Sequence, residues 1–249
     1  GVWIQGPKAA GVVGRVLSDP PGVLLDGVVG HVLLDVPEQG PSEVPGRSER
    51  TGPTGWRDYQ HARLQFGDQP VSVAPIDQLG VPGFCVYLEA VRERELIDAL
   101  VGAGAREVSA ESIEAARIEA GYPVFGVDMT DDTIPLEAGI EDRAIWMSKD
   151  CYVAQEVIIR VLHRGHGRVA RKLVTLRIDR AVPPRAARLF AADRDIGFIT
   201  SAAASPRLGT IALAYAHRDF LAPGTTIEVA SEGGRVPATV TERVILSGA

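Results

Sequence analysis

The sequence LVTLRI at Leu173–Ile178 begins the part of the chain that decides the fold. Short β-type segments follow it at fairly regular intervals, separated by turns such as Pro183-Pro184 and Gly233-Gly234. The segments are 173–178, 187–190, 196–201, 210–215, 226–229 and 236–245. Short, evenly spaced strands are typical of a small β-barrel or a β-sandwich. We therefore predict an all-β domain over 169–249.

The chain before residue 169 mixes helical and extended patterns. Alternating or continuous apolar residues predict strands at 2–4, 23–25, 32–34, 61–66, 71–73 and 84–88. Apolar stripes at helical spacing predict helices at about 8–17, 92–101 and 109–121, the last with Ser109 as its N-cap. Between about 37 and 55 the sequence is rich in Pro, Gly, Glu, Ser and Arg, which predicts an exposed, flexible loop.

The composition is that of a globular protein. Of 249 residues, 45% are hydrophobic and 23% are charged, which fits one large domain or two unequal ones. The net charge of −6 argues against a surface that attracts nucleic acid or anionic lipid as a whole.

No apolar run approaches the roughly 20 residues of a membrane-spanning helix. Two cysteines indicate a reducing, cytoplasmic compartment. Because the chain opens on Gly1 inside an apolar strand pattern, we expect a fragment or an internal start.

One short run concentrates reactive side chains: Lys149-Asp150-Cys151-Tyr152-Val153-Ala154-Gln155-Glu156. The thiol of Cys151 is either a reactive group or a buried apolar filler. Lys149 favours the thiolate through its positive charge, whereas Asp150 opposes it. From the residues alone both roles stay open, and Asp150 would make a reactive Cys151 a weaker nucleophile.

Several blocks in a fixed order carry a family resemblance. They are Arg117-Ile118-Glu119-Ala120-Gly121, Gly126-Val127-Asp128, the block 134–139, the cysteine run 149–156 and the block 163–168. The chain resembles the YgfZ-type folate-binding proteins of the glycine-cleavage T-protein (aminomethyltransferase) superfamily. The cysteine run is similar to their Lys-Gly-Cys-Tyr-x-Gly-Gln-Glu motif, with Asp150 and Ala154 in place of the two glycines.

The resemblance implies an α+β fold and a folate site. It implies a folate-binding, T-protein-like domain of mixed α/β structure at 1–168, incomplete at its N-terminus, followed by a C-terminal β-barrel at 169–249. It implies that Glu119 hydrogen-bonds the pterin ring of tetrahydrofolate or a one-carbon derivative, and that Cys151 with Lys149 forms the reactive pair. The other implied cofactor-binding residues are Arg117, Phe125, Tyr152, Gln155, Glu156 and Arg160.

Plainer structural roles remain open for several of these residues. Glu119 is alternatively a solvated or Arg-paired carboxylate, and Phe125 a core aromatic. Asp131 and Asp132 are more typical of a turn than of a metal or acid–base site. His163 and His166 lack the spacing of a metal site, so we predict no metal. The basic segment 160–172 could contact tRNA phosphates or a folate polyglutamate tail, or it could line a groove.

Three functions follow from the resemblance. The first is a tetrahydrofolate-binding accessory protein that supports iron–sulfur cluster assembly or repair, which is linked to tRNA modification in bacterial relatives. Its partners would be folate and iron–sulfur client or assembly proteins, with no membrane association. The second is a folate-dependent aminomethyltransferase or demethylase, so enzymatic activity stays open. The third is a degenerate member that acts only as a binding module. The cysteine run favours the first.

Overall fold

A computed structural model describes residues 1–6, 8–17, 61–75, 79, 83–145, 155–163 and 167–242. The predicted strands at 23–25 and 32–34 and the predicted loop at 37–55 lie outside the described residues. The chain forms two compact units, Gly1–Ser109 and Ala110–Ala249. The domain boundary predicted between 168 and 169 stays a prediction.

The first unit is an antiparallel sheet with two helices. Its strand order is β1 (Val2–Gln5), β4 (Gly83–Tyr87), β3 (Gln69–Pro75) and β2 (Ala62–Phe66). Side chains alternate between the two faces of a strand, so the paired residues of β1 and β4, Val2 with Val86 and Ile4 with Phe84, share one face. Helices α1 (Ala9–Val16) and α2 (Glu93–Gly102) contribute their apolar stripes to the same core. These four strands and two helices lie at predicted positions.

The second unit begins with four helices. Helix α3 (Ala110–Glu119) follows the predicted N-terminus, and α4 (Pro135–Ala138), α5 (Glu141–Ala144) and α6 (Gln155–His163) come after it. The last three were not predicted. Pro135 stands at the start of α4, where its missing N–H costs nothing, and Gly139 ends that helix in a left-handed conformation with φ 66°.

A closed antiparallel barrel forms the rest of the unit. Its strands are β5 (Arg171–Ile178), β6 (Arg188–Ala191), β7 (Arg194–Ser205), β8 (Gly209–His217), β9 (Thr226–Ser231) and β10 (Gly234–Thr241). They close in the order β10-β5-β8-β7-β6-β9. One set of alternating side chains, including Val174, Leu176 and Ala214, fills the interior. The predicted α+β class with a C-terminal barrel is confirmed, and the barrel replaces the alternative of a sandwich.

Outward-facing side chains of β5 and β8 pack under α3. Leu173 and Tyr215 are paired across β5 and β8, and both join a cluster with Ile118 of α3. This packing fixes α3, and the loop that follows it, on the outer wall of the barrel. In the described part of the chain, no helix is long and apolar enough to cross a membrane.

Candidate functional site

A buried ion pair anchors the end of α3 to the barrel. Nη1 of Arg117 lies 2.6 Å from Oδ2 of Asp128, and the two side chains are 5% and 0% exposed. The guanidinium also donates to the Ser201 hydroxyl at 2.6 Å and pairs with Glu114. A buried charge is tolerated when it is paired and hydrogen-bonded, and both conditions hold here.

The carboxylate of Asp128 is fully engaged. Its Oδ1 accepts hydrogen bonds from the hydroxyls of Thr200 at 2.5 Å and Ser201 at 2.7 Å. Its Oδ2 accepts the backbone N–H of Val124 at 2.9 Å besides the bond from Arg117. These bonds join the loop after α3 to strand β7. Arg117, which was predicted as a cofactor ligand, therefore faces this network and is 4% exposed as a whole residue.

Glu119 lies two residues further along α3 and meets the turn between β7 and β8. Its Oε1 accepts the hydroxyl of Ser205. Its Oε2 accepts Nε of Arg207 at 3.1 Å and also a bond from Nη2. The Glu119 side chain is only 10% exposed, whereas that of Arg207 is 76% exposed. An almost buried carboxylate is thus covered by a cation that reaches in from solvent.

These contacts set the protonation of Glu119. Burial by itself would raise its pKa, but hydrogen bonds from Arg207 and Ser205 outweigh it and hold the pKa below its usual value. The hydrogen bond to Glu119 raises the pKa of Arg207 in turn. Glu119 is also the last residue of α3, where the helix dipole disfavours a carboxylate. The carboxylate is therefore kept charged at a helix end where a negative charge is unfavourable.

A second group of charged residues lies along β5. Nε of Arg171 is 3.2 Å from Oε2 of Glu137, and its guanidinium carbon lies 5.0 Å from the ring centre of Tyr215. Burial raises the pKa of Tyr215 to about 12, with Thr133 and Arg171 near the hydroxyl acting in the opposite direction. Lys172 pairs with Glu141 at 3.1 Å. Two cations of the predicted basic segment are therefore neutralised by acidic partners.

Some of the remaining predicted ligands lie within the described residues and others do not. Phe125 is 64% exposed in the loop after α3. On α6, Gln155 is half-buried, while Glu156 and Arg160 form an exposed pair at 3.0 Å. Lys149, Cys151 and Tyr152 lie outside the described residues. The roles predicted for all of these residues stay predictions.

The acidic stretch after α3 separates into different roles. Asp131 and Asp132 are exposed in a turn, as the sequence predicted. Asp128, three residues earlier, is the buried partner of Arg117. Over the ranges that the structure describes, no group of three or more His, Cys, Asp and Glu residues could hold a metal ion.

Sequence reasoning missed the partners that the barrel supplies. From the sequence these residues predicted only a strand and a turn, because their contacts with α3 and with the loop after it span more than seventy residues; they are Thr200, Ser201, Ser205 and Arg207. The available signal was weak. It consisted of two adjacent hydroxyl residues at 200–201, inside an otherwise apolar strand, and an arginine after Pro206.

Comparisons with known proteins agree with this architecture. Residues 171–246 match the family of the glycine cleavage T-protein C-terminal barrel domain. An aminomethyltransferase of Picosynechococcus sp. is 30% identical over 187 residues, which cover 74% of this chain and 51% of that protein. An aminomethyltransferase of Geobacillus kaustophilus is 30% identical over 233 residues, 85% of this chain and 63% of that protein. These matches support membership of the glycine-cleavage T-protein superfamily.

One solved structure is similar in fold. The crystal structure of the glycine cleavage system aminomethyltransferase T from Bartonella henselae aligns with a TM-score of 0.57 at 22% identity, covering 73% of this chain and 51% of that one. At this identity the similarity concerns the fold alone. The chain spans about half the length of that structure and of the Picosynechococcus relative.

Proposed function

We propose that this chain binds a reduced folate through Glu119 and serves folate-dependent aminomethyl or related one-carbon transfer. The proposal rests on the state of the Glu119 carboxylate, which is 10% exposed and is kept charged. It lies at the end of α3, against a barrel of the T-protein type. The aminomethyltransferases among its relatives support this function over the accessory role.

The donors and acceptors at Glu119 fit the pterin ring. The ring edge of tetrahydrofolate presents an amino group beside a ring N–H, and a carboxylate accepts two such bonds in parallel. A carboxylate has about four acceptor positions. Oε1 of Glu119 accepts a single hydrogen bond among the described residues, from Ser205, so acceptor capacity remains. Bound tetrahydrofolate would supply the amine that carries the one-carbon unit.

The residues around Glu119 would orient the ring and exclude water. Ser205 holds Oε1, and the buried pair of Arg117 and Asp128 keeps the end of α3 in position. Phe125, which is 64% exposed in the next loop, offers an aromatic surface of the kind that stacks on planar ligands. We infer no acid–base residue for the transfer step itself.

Calorimetric titration with 5-formyltetrahydrofolate tests the site. Glu119→Gln should weaken binding by about 1.5–3 kcal/mol, the range for a hydrogen bond to a charged group. Glu111→Gln, an exposed glutamate on the same helix, is the matched control and should bind like the wild type. Equal affinity in all three proteins would remove Glu119 from the site.

A second function is favoured by the cysteine run. The sequence Lys149–Glu156 is similar to the motif of the YgfZ-type proteins, which supports a cytoplasmic accessory role in iron–sulfur cluster assembly or repair and, through the basic segment 160–172, contact with tRNA. In that case Cys151→Ser should leave folate binding unchanged and abolish support of iron–sulfur enzymes in a complemented deletion strain. Cys85→Ala, at the fully buried cysteine of β4, is the control, because it introduces no polar group into the core.

The two functions give different results with the same variants. If the chain catalyses aminomethyl transfer, Cys151→Ser should retain the formation of methylenetetrahydrofolate from an aminomethyl donor. If it acts as an accessory protein, the wild type should bind folate without forming this product. The proposed boundary between a folate-binding domain at 1–168 and a barrel domain at 169–249 is tested by limited proteolysis.

A further inference from the structure

The sheet of the first unit has one face under helices and one face with aromatic side chains in solvent. Helices α1 and α2 pack on the face that carries Val2, Ile4 and Val86. The opposite face carries Trp3 and Tyr87, whose exposed fractions are 49% and 55%. Tryptophan and tyrosine are enriched where proteins meet other proteins, so this aromatic face has the composition of an interface.

The strands of this sheet are almost free of charge. Across the four strands that the structure describes in the first unit, Arg63 of β2 is the single charged residue. Helix α2, in contrast, carries four charged residues in ten. Nucleic acid requires several cations and a basic protein requires carboxylates, and the sheet offers neither set. In a chain of net charge −6, the aromatic face therefore fits an uncharged polypeptide surface.

Strand β1 is also an unprotected sheet edge. It pairs with β4 on one side, and no described strand pairs with its other side. Exposed edges are usually protected by charged residues, proline or a bulge. The opposite edge, β2, carries Arg63, whereas the β1 sequence VWIQ has no charged residue and no proline, and its register with β4 is unbroken. Strand β1 is therefore suited to the addition of a further strand.

The β1 sequence is suited to pairing with itself. Directly opposite residues of two antiparallel strands point to the same face of the sheet. A two-fold axis at Trp3 places this residue opposite its own copy and Val2 opposite Ile4 of the partner subunit. The two tryptophans then meet on the aromatic face, and the apolar residues continue the face under the helices. Both sets of side chains thus keep the environment that the single chain gives them.

We propose that β1 is the edge through which two copies of this chain associate, as one antiparallel sheet that is continuous across a two-fold axis at Trp3. A second copy supplies the same uncharged edge and the same neutral aromatic face, so each surface meets its match. A strand of four residues buries little area, which predicts a weak, reversible dimer. The proposal concerns the first unit and is independent of the folate-binding function given above.

Sedimentation velocity of the full chain tests the association. The weight-average mass should rise from that of one chain toward that of two between about 1 μM and about 1 mM, the range of weak binding. Trp3→Lys removes the central aromatic pair and sets two like charges opposite each other, so self-association should weaken at least about 10-fold. Trp3→Phe keeps an aromatic ring and should associate much like the wild type.

Val101→Lys is the matched control. Val101 is an apolar residue of α2 that is 42% exposed, and this helix packs on the other face of the sheet. The variant introduces the same charge into the same unit and should associate like the wild type. Circular dichroism of all variants at low concentration shows whether each one is folded as a monomer.

Hydrogen exchange of the wild type locates the interface without any substitution. Amides of β1 should become more protected as the protein concentration rises, because the added strand hydrogen-bonds to the edge. Amides of β2, at the opposite edge of the same sheet, should exchange at a rate that does not depend on concentration.

Three results would overturn the proposal. A chain that remains monomeric up to about 1 mM forms no such dimer. A monomer with β1 amides protected at every concentration has its edge covered by its own chain. A dimer that leaves β1 exchange unchanged and tolerates Trp3→Lys associates through another surface.

Discussion

Arg117 and Asp128 form an ion pair across eleven residues, with 2.6 Å between Nη1 and Oδ2 and both side chains nearly inaccessible to solvent. Arg117 stands on α3 and Asp128 in the following loop, while Thr200 and Ser201 of β7 complete the network. One buried pair thus ties a helix, a loop and a barrel strand together. The position of Glu119 depends on this ion pair, because Glu119 follows Arg117 by two residues on α3.

The first prediction is that Asp128→Ala destabilises the second unit by about 3–5 kcal/mol, since it leaves the Arg117 guanidinium buried without its partner. Hydrogen exchange of the backbone amides in β7 and β8 measures this loss of stability locally. Asp132→Ala removes an exposed turn carboxylate and should shift stability by less than about 0.5 kcal/mol. Similar exchange rates in both variants would show that the buried pair contributes little.

The pH dependence of stability should carry the signature of Glu119. The pKa of Glu119 in the folded protein is held below its value in the unfolded chain. The stabilisation that its charged carboxylate provides is therefore complete above the unfolded-state pKa, and it is lost as the pH falls through the folded-state pKa. Urea midpoints measured from about pH 6 down to about pH 3 should therefore fall less steeply in Glu119→Gln than in the wild type.

The control for this titration is Glu232→Gln, which removes an exposed carboxylate from the same unit. It should follow the wild-type curve. Arg207→Ala should move part of the way toward Glu119→Gln, because the hydrogen bond from Arg207 is the largest contribution that lowers the pKa of Glu119. Parallel curves for the wild type and Glu119→Gln would contradict the assigned shift.

Elements with a clear pattern in neighbouring residues could be predicted from the sequence. The alternation from Leu173 onward gave six barrel strands at the observed places, and the Ser109 signal gave the start of α3. Helices α4 and α5 escaped prediction because each has four residues, too few for a 3.6-residue period to show. The pairing of Glu119 with Arg207 escaped because it joins residues 88 positions apart, which only closure of the barrel brings together.

Gly197 should be the least replaceable glycine of the barrel. A Cβ atom there would lie 1.8 Å from the carbonyl oxygen of Tyr215, a backbone atom of the paired strand β8. Gly197→Ala must therefore push β7 and β8 apart, at a cost of about 1–3 kcal/mol or more.

The comparison is Gly209→Ala, where the added Cβ meets no atom within 4 Å but the backbone has φ 76°. Conformational strain alone costs about 1–2 kcal/mol at such a position. Calorimetric melting should rank Gly197→Ala below Gly209→Ala, and Gly209→Ala below the wild type. A reversed order between the two variants would show that the strands accommodate the extra carbon.

The Tyr215 phenol should titrate near pH 12, because burial disfavours its charged form. An unfolded tyrosine ionises near pH 10. The contribution of Tyr215 to stability is therefore complete below about pH 10 and is lost as the pH rises toward the folded value. Ultraviolet absorbance of phenolate in the wild type should show a late step that is missing in Tyr215→Phe.

Because the hydroxyl makes no hydrogen bond of normal geometry among the described residues, Tyr215→Phe should change stability at neutral pH by less than about 1 kcal/mol. A large loss of stability together with an unchanged absorbance titration would place the hydroxyl in a polar contact and its ionisation in solvent.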